Sequence, residues 1–405
     1  MKKGPLDGIR VIDISHHMAG PSATQKLGDM GADVIKIEPP GFGEWTRTRP
    51  IGNAWVGNLN TSLIALNRNK RSLTLNLKTK EGLDILYRLL KGADVLVSNF
   101  RPEVNKRLRT DYESVKTVNP NIIYCAITGF GEDGPYAHRP GQDLLIQGLS
   151  GVAWNAGRKN DPPIPLGTFV ADATTGNLAV IGIVSALYHR EKTGEGQKIS
   201  INLLSSIMDV QIQELTTYLN CGKLPERSEE LLAHPLINSP YGIHATKDSY
   251  IALAMTPFDK LAEALECEEL KRYTKWEDGQ HYRDEIFRIV AKVLKTKTTK
   301  EWIEQLDRFD VWCGPVYNYE DVVNDPQIRH NGTIQTIRHP KYGELKFIAN
   351  PIHFSETPVS YRFAPPDLGE HDEQILGELG FSKDDIEQLK QKGVIQDQPP
   401  ATFKI

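Results

Sequence analysis

Asp172 stands in the run Gly167-Thr168-Phe169-Val170-Ala171-Asp172-Ala173-Thr174-Thr175-Gly176-Asn177, where a short apolar stretch gives way to a long apolar-periodic segment. A carboxylate at such a strand-to-helix junction lies among backbone N–H groups that have no intrahelical acceptor. It can cap the helix, by far the commoner role at this position. It can also attack an acyl carbon, the chemistry open to a carboxylate nucleophile. Asp143, in Gly141-Gln142-Asp143-Leu144-Leu145-Ile146-Gln147, presents the same choice. Gln142, Asp143 and Gln147 with Asp172 would form one polar group near a single loop. His16 and His17 are adjacent at the end of a strand pattern, so their side chains point to opposite sides and share no ligand. The densest basic cluster, Asn67-Arg68-Asn69-Lys70-Arg71-Ser72, reads either as a solvated turn or as an anchor for a phosphorylated ligand.

The elements that must position these groups alternate. Strand patterns run over Ile9–Ser15, Asp33–Glu38, Ser72–Leu77, Asp94–Asn99 and Asn121–Thr128, with helical patterns over Pro21–Met30 and Thr79–Leu90 between them. This rhythm predicts a Rossmann-like α/β domain with a mostly parallel sheet and helices on both faces. Such sheets bind ligands beyond the carboxyl ends of their strands. The loops there are 16–21, 39–45, 99–102 and 129–140, and none carries GxGxxG or a Walker lysine, so no nucleotide phosphate cradle is expected. A helix over 174–191, a strand over Lys198–Asn202 and a long helix over Leu204–Leu219 follow. The expected organisation is a large domain over 1–225, a smaller α+β domain over 226–325, and a segment over 326–405 that returns to the large domain.

Composition narrows the class. The 405 residues are 39% hydrophobic and 25% charged with net charge −4, which describes a folded protein without the basic footprint of a nucleic-acid binder. Cys125, Cys221, Cys267 and Cys313 are scattered, and no HExxH or close ligand spacing appears, so neither a disulfide framework nor a metal is expected. No Gly-x-Ser-x-Gly elbow is present. No signal peptide is seen, and the apolar stretches look shorter than the ~20 residues that span a bilayer. The expectation is a soluble cytoplasmic protein with no membrane or nucleic-acid partner.

A series of segments then resembles one family from end to end. They include Pro5-Leu6-Asp7-Gly8-Ile9-Arg10-Val11, Ala19-Gly20-Pro21, Gly31-Ala32-Asp33-Val34-Ile35-Lys36-Ile37-Glu38, Asn69-Lys70-Arg71-Ser72 and Asn99-Phe100-Arg101-Pro102. Further on come Gly129-Phe130-Gly131, Ser150-Gly151, Lys192-Thr193-Gly194, Cys313-Gly314-Pro315-Val316 and Leu368-Gly369-Glu370-His371. In order and spacing the chain resembles the class III CoA-transferases, which include formyl-CoA transferase and carnitine CoA-transferase.

The resemblance implies a two-domain protomer in an interlocked homodimer, with Asp172 as the catalytic nucleophile. It implies CoA contacts at His16, Met18 and Ala19 after the first strand, at Leu75 and Lys78 in the third, and at Asn99, Phe100, Arg101 and Arg107. Gln142 and Asp143 fall in a segment beside the reacting thioester. It implies an acyl-CoA donor and a small carboxylic acid acceptor as substrates, with no permanently bound cofactor. Three departures argue against oxalate as acceptor: Gln142-Asp143 replaces Tyr-Glu, Met18 replaces Gln, and Ala254-Met255-Thr256-Pro257 stands in place of a run of four glycines. Pro39 occupies the place of an arginine that can contact the nucleotide. The same fold hosts α-methylacyl-CoA racemases, whose Gly-His-Asp becomes Gly141-Gln142-Asp143 here, and glutamine cannot serve as the base. A CoA-binding protein without chemistry is the remaining alternative.

Overall fold

The computed structural model describes residues 3–396, so the last residues of the expected 326–405 segment lie outside it. Two compact units form. The first takes the described residues up to Ile146, Phe169–Ile207 and those from Pro326 onward, and the second takes Gln147–Thr168 and Met208–Asp325. The large domain expected over 1–225 therefore loses 147–168 and 208–225 to the second unit. The helix read as continuous from Leu204 to Leu219 is two helices, Leu203–Val210 and Ile212–Cys221, because Gln211 leaves the helical backbone region at φ −99°, ψ 30°.

In the first unit six strands form one parallel sheet. They are β1 (Arg10–Asp13), β2 (Asp33–Glu38), β3 (Lys70–Thr74), β4 (Val95–Ser98), β5 (Ile123–Thr128) and β6 (Lys198–Asn202). Their spatial order is β3-β2-β1-β4-β5-β6. This is the doubly wound order in which the sequence reverses direction beside β1. The helices that concern the site are α1 (Ala19–Asp29), α2 (Lys80–Lys91), α3 (Pro102–Leu108), α4 (Asp143–Ser150) and α5 (Val170–Thr193).

Alternation along the strands sorts the two faces. Ile12, Ile14, Ile35, Ile37, Leu73 and Leu96 pack with Ile85, Leu86, Leu89 and Leu90 of α2. Ile375, Leu376, Ile386 and Leu389, from the helices Asp372–Glu378 and Lys383–Gln391, complete that layer. Asp13 points the other way, toward α1, where the Thr24 hydroxyl donates to its Oδ2 at 2.7 Å. Helix α5 lies against α1, β5 and β6. Between Asp325 and the tail helices a hairpin pairs Ile334–His339 with Gly343–Ile348.

The second unit is built on a three-stranded antiparallel sheet of Gly242–Ala245, Tyr250–Leu253 and Cys313–Pro315. Helices Phe258–Ala264, Arg283–Leu294 and Thr299–Arg308 supply its core around Trp302. The Trp302 ring is buried and its Nε1–H donates to Leu294 O at 2.7 Å, which satisfies the one polar atom of the ring. Thr298 and Glu301 close a capping box at the start of the last helix.

One composition reading needs correction. The apolar stretches were expected to fall short of a bilayer's thickness, yet α5 runs 24 residues with a mean hydropathy of 1.5 over its most apolar window. The periodic small residues Ala171, Gly176, Ala179 and Ala186 made it look less apolar than it is. Here this helix is a packing element: Ala171, Thr175, Gly176, Ala179, Val180, Ile183, Ala186 and Leu187 are buried within the unit.

Candidate functional site

The reversal of strand order leaves a crevice beyond the ends of β1 and β4, the place where open α/β sheets hold ligands. The loop after β1 carries His16, Met18 and Ala19, and the loop after β4 carries Asn99, Phe100 and Arg101. The two are stitched together by one side chain. Asn99 Oδ1 accepts from His16 N at 2.9 Å while Asn99 Nδ2 donates to His16 O at 2.7 Å. The His16 ring meets Phe100 edge-on, with centroids 5.1 Å apart. Burial, reinforced by the Lys36 ammonium, pushes the His16 imidazole down to about 4, so the ring is neutral at physiological pH. His17 has a left-handed backbone at φ 64° and is exposed, whereas His16 is half-buried; both lie beyond the end of β1 at Asp13, so strand alternation does not set their directions.

Beneath that loop lies a layer of buried charge. Asp13, Glu38 and Glu44 face Lys36, Lys70 and Arg47, and all six residues are buried or nearly so. Lys36 Nζ donates to Ser15 O at 2.9 Å, and Ser15 N and Oγ both donate to Asp13 Oδ1. Glu44 Oε2 accepts from His17 N at 3.1 Å. Burial alone would raise the Asp13 carboxyl, but the Lys70 and Lys36 ammoniums, helped by Ser15 and Thr24, pull it far below the usual range. Lys70 moves down to about 8, because burial outweighs its attraction to Asp13. The loop thus rests on a charge-balanced platform whose hydrogen bonds end on its backbone. Sequence reading missed Lys36 and Glu44; a lysine between Ile35 and Ile37 in the strand Asp33–Glu38 was the available signal for the first, while Glu44 lies in the loop after the strand, where no pattern marks it.

The basic cluster at 67–72 is neither a solvated turn nor a phosphate anchor. Arg68 pairs with Asp29 at 2.6 Å, Lys70 with Asp13 at 3.0 Å, and Arg71 with Asp33 at 2.7 Å and Glu378 at 2.8 Å. Each cation is committed to the interior because β3 begins at Lys70, two residues earlier than the strand pattern suggested.

Asp172 sits at the third residue of α5, which starts at Val170, so no strand precedes it and it is not the N-cap. The capping is done from elsewhere. Asp143 Oδ1 accepts from Ala171 N at 2.8 Å and from Asp172 N at 3.2 Å, occupying two of the orphan donors of α5. The Asp143 side chain is placed by a close backbone approach: Gly129, just past β5, and Gly141 lie so near that a Cβ on Gly129 would stand 2.5 Å from the Gly141 Cα. Burial, with the like charge of Asp143 adding to it, raises the Asp172 carboxyl to about 6. Among the described residues no cation pairs with this half-buried carboxylate, and withdrawal from water lessens the damping of its nucleophilicity.

Other expected residues fall in different surroundings. Leu75 follows the end of β3, and its side chain belongs to the hydrophobic core, so only its backbone can reach a ligand. Lys78 lies three residues further on, in the exposed turn before α2, not in the strand. Arg101 and Arg107 are exposed at the two ends of α3, and Gln142 is exposed beside buried Asp143. Gln147 holds the segment before α5 within the second unit, accepting from Leu166 N at 2.8 Å and donating to Thr168 O at 3.1 Å. Ala254, where the glycine run was sought, lines a cavity of about 360 Å³ in the second unit with Trp312 and Cys313. Among the described residues no three His, Cys, Asp or Glu side chains stand in a metal-holding group.

A doubly wound sheet whose reversal point is where such folds hold ligands, and a carboxylate raised to about 6 at a helix start in the same unit, define the class of ligand-binding α/β proteins. The chain belongs to CoA-transferase family III, whose model matches residues 6–372. It is 34% identical over 398 residues to the human succinyl-CoA:glutarate CoA-transferase, covering 96% of this chain and 90% of the relative. It is 36% identical over 388 residues to the succinate–glutarate CoA-transferase of Agrobacterium fabrum, covering 93% and 96%. A formyl-CoA:oxalate CoA-transferase of Streptomyces avermitilis is 32% identical over 421 residues, covering 96% and 99%. The crystal structure of a CAIB/BAIF family protein from Brucella suis superposes with a TM-score of 0.82 at 33% identity, covering 94% of this chain and 100% of that one. The protein is a CoA-transferase, and CoA thioesters are its substrates.

Proposed function

We propose that this enzyme moves CoA between two carboxylic acids through covalent intermediates on Asp172. An Asp172 oxygen attacks the thioester carbonyl carbon of the donor, the C–S bond breaks, and CoA leaves as thiolate, giving a mixed anhydride. The thiolate then attacks the Asp172 carboxyl carbon and expels the donor acid, which leaves an aspartyl-CoA thioester. The acceptor carboxylate attacks that carbon and displaces the thiolate to form a second anhydride. Thiolate attack on the acceptor's carbonyl carbon releases the new acyl-CoA and restores Asp172. The observation that carries this reading is the Asp172 carboxyl itself, half-buried, raised to about 6, paired with no cation among the described residues, and held on a helix where the N–H groups of Ala171 and Asp172 are tied to Asp143.

That tie has a consequence for charge stabilisation. Because Asp143 occupies the N–H groups of Ala171 and Asp172, the start of α5 has little left to offer the oxyanions. We assign that role to the start of α1, where Ala19 and Gly20 occupy helix positions without intrahelical acceptors. CoA lies over the switch-point crevice, with the neutral His16, Met18 and Asn99–Arg101 as its contacts and exposed Arg107 near its phosphates. Four- and five-carbon dicarboxylates are the first substrates to try, in keeping with the succinyl-CoA:glutarate relatives and with the departures from the formyl-CoA transferase pattern. An interlocked homodimer fits the apolar residues left exposed on α5, Ile181 at 61% and Tyr188 at 67%.

The test is Asp172→Ala assayed with succinyl-CoA and a panel of carboxylic acids. Transfer should vanish while CoA still binds, and hydroxylamine should trap an aspartyl species only in the wild type. Transfer retained above a few per cent in the variant sinks the covalent route. Deuterium wash-in at C2 of a 2-methylacyl-CoA without an acceptor acid would favour isomerase chemistry instead.

A further inference from the structure

Helices α1 and α5 approach closely at one point. A Cβ added to Gly176 would stand 2.9 Å from the Ala19 carbonyl oxygen and closer still to the Ser22 hydroxyl. Ser22 is itself held, its hydroxyl donating to Ala19 O at 3.0 Å. On the α1 side a second close approach follows, because a Cβ on Gly20 would overlap the Ser15 side chain. Ser15 is locked to the platform through Asp13 and Lys36. Continuous contact therefore runs from the buried charges under the sheet, through Ser15 and Gly20, across Ala19 and Ser22, to Gly176. Gly176 is four residues beyond Asp172, one helical turn on the same face of α5.

We infer that Gly176 is a positioning residue for the nucleophile: by letting α5 seat directly on the first turn of α1, it sets how far Asp172 stands from the His16–Ala19 loop that presents the thioester. This rests on the covalent reading above. Any side chain at 176 lifts the first turn of α5 away from α1, and the reacting atoms must lie within about 3–3.5 Å for attack. Gly176 is helical, not in the left-handed region, so its lack of a side chain serves contact distance and not backbone conformation.

Wild type, Gly176→Ala, and Gly176→Ala with Ser22→Gly are compared in steady-state CoA transfer. Gly176→Ala should lower kcat by about 10- to 100-fold with the donor KM within about threefold. The second change removes the Ser22 oxygen and Cβ from the overlap, and it should return at least about a fivefold part of the lost kcat. A filler role would instead show as a lower thermal midpoint with kcat per folded molecule unchanged. A kcat within about twofold of wild type, a loss confined to KM, or a double variant no better than the single one each overturns the inference. If Gly176→Ala does not fold, Ser22→Thr crowds the same contact from the α1 side and is read by the same split. Asp172→Ala run alongside separates the two ideas. If it retains transfer, the covalent reading fails; if it is dead and Gly176→Ala is fully active, only this inference fails.

Discussion

Asp13 and Asp172 are both aspartates withdrawn from water in the same unit, and their carboxyls move in opposite directions. Asp13 lies at the end of β1 between Lys36 and Lys70, with Ser15 and Thr24 donating to it, and is held ionised far below the usual range despite complete burial. Asp172 lies at the start of α5 with another aspartate as its charged neighbour, and burial carries it up to about 6. Burial acts in the same sense on both, and the identity of the neighbours decides the outcome. The first arrangement builds a platform; the second leaves a costly carboxylate with a raised pKa, a combination common at functional sites.

That contrast can be broken in several ways. The largest effect belongs to the reactive member: Asp172→Ala should cut kcat for CoA transfer by at least about 10³-fold, read in a coupled acyl-CoA assay. Next, Asp13→Asn leaves two buried ammoniums facing a neutral amide and should cost about 3–5 kcal/mol, read as a lower urea midpoint. The third effect has the opposite sign. The Asp172 carboxyl is raised in the fold, so its protonated form stabilises at low pH and that contribution is lost as pH rises through about 6. Asp172→Asn should therefore raise stability by roughly 1–3 kcal/mol at pH 8. The gain should fade as pH drops toward the unfolded-state value of an aspartate, a trend that thermal melts across pH can follow. The smallest change is in the rate profile. On the proposed covalent route the attacking group is ionised Asp172, so kcat should fall as pH drops below about 6. Asp143→Asn keeps the oxygen that caps α5 but removes the like charge, so the acid limb should shift down by less than about one unit.

The second unit sharpens the same lesson about environment. Its core around Trp302 is apolar, with the one polar atom of that ring bonded to Leu294 O and a capping box at Thr298. The first unit instead spends buried charge beneath its crevice, where the backbone of the 15–18 loop must hold one shape.

Much of this was legible in the chain. Alternating periodicities at Arg10–Asp13, Asp33–Glu38 and Ile123–Thr128 announce a parallel sheet, because the side-chain repeat of a strand is a local property of its sequence. The boundary of the second unit between Ile207 and Met208 was not legible, since it falls inside the helix Leu203–Val210, and the helix break that follows rests on one non-helical residue, Gln211, with no composition signal. The basic run at 67–72 was misread because charge in sequence says nothing about which acid will meet it.

By itself the sequence determined the element types, the carboxylate at a helix start, and the segments that mark a CoA-transferase. Tertiary structure alone decided the strand order that brings His16 against Asn99, 83 residues away, and the cap that Asp143 supplies to α5 across 28 residues. It also decided that Lys36 and Lys70 surround Asp13 while, among the described residues, no cation pairs with Asp172. The reason is physical. Propensity and periodicity act within a few residues, whereas the protonation of a buried group follows from charges that only long-range packing places beside it.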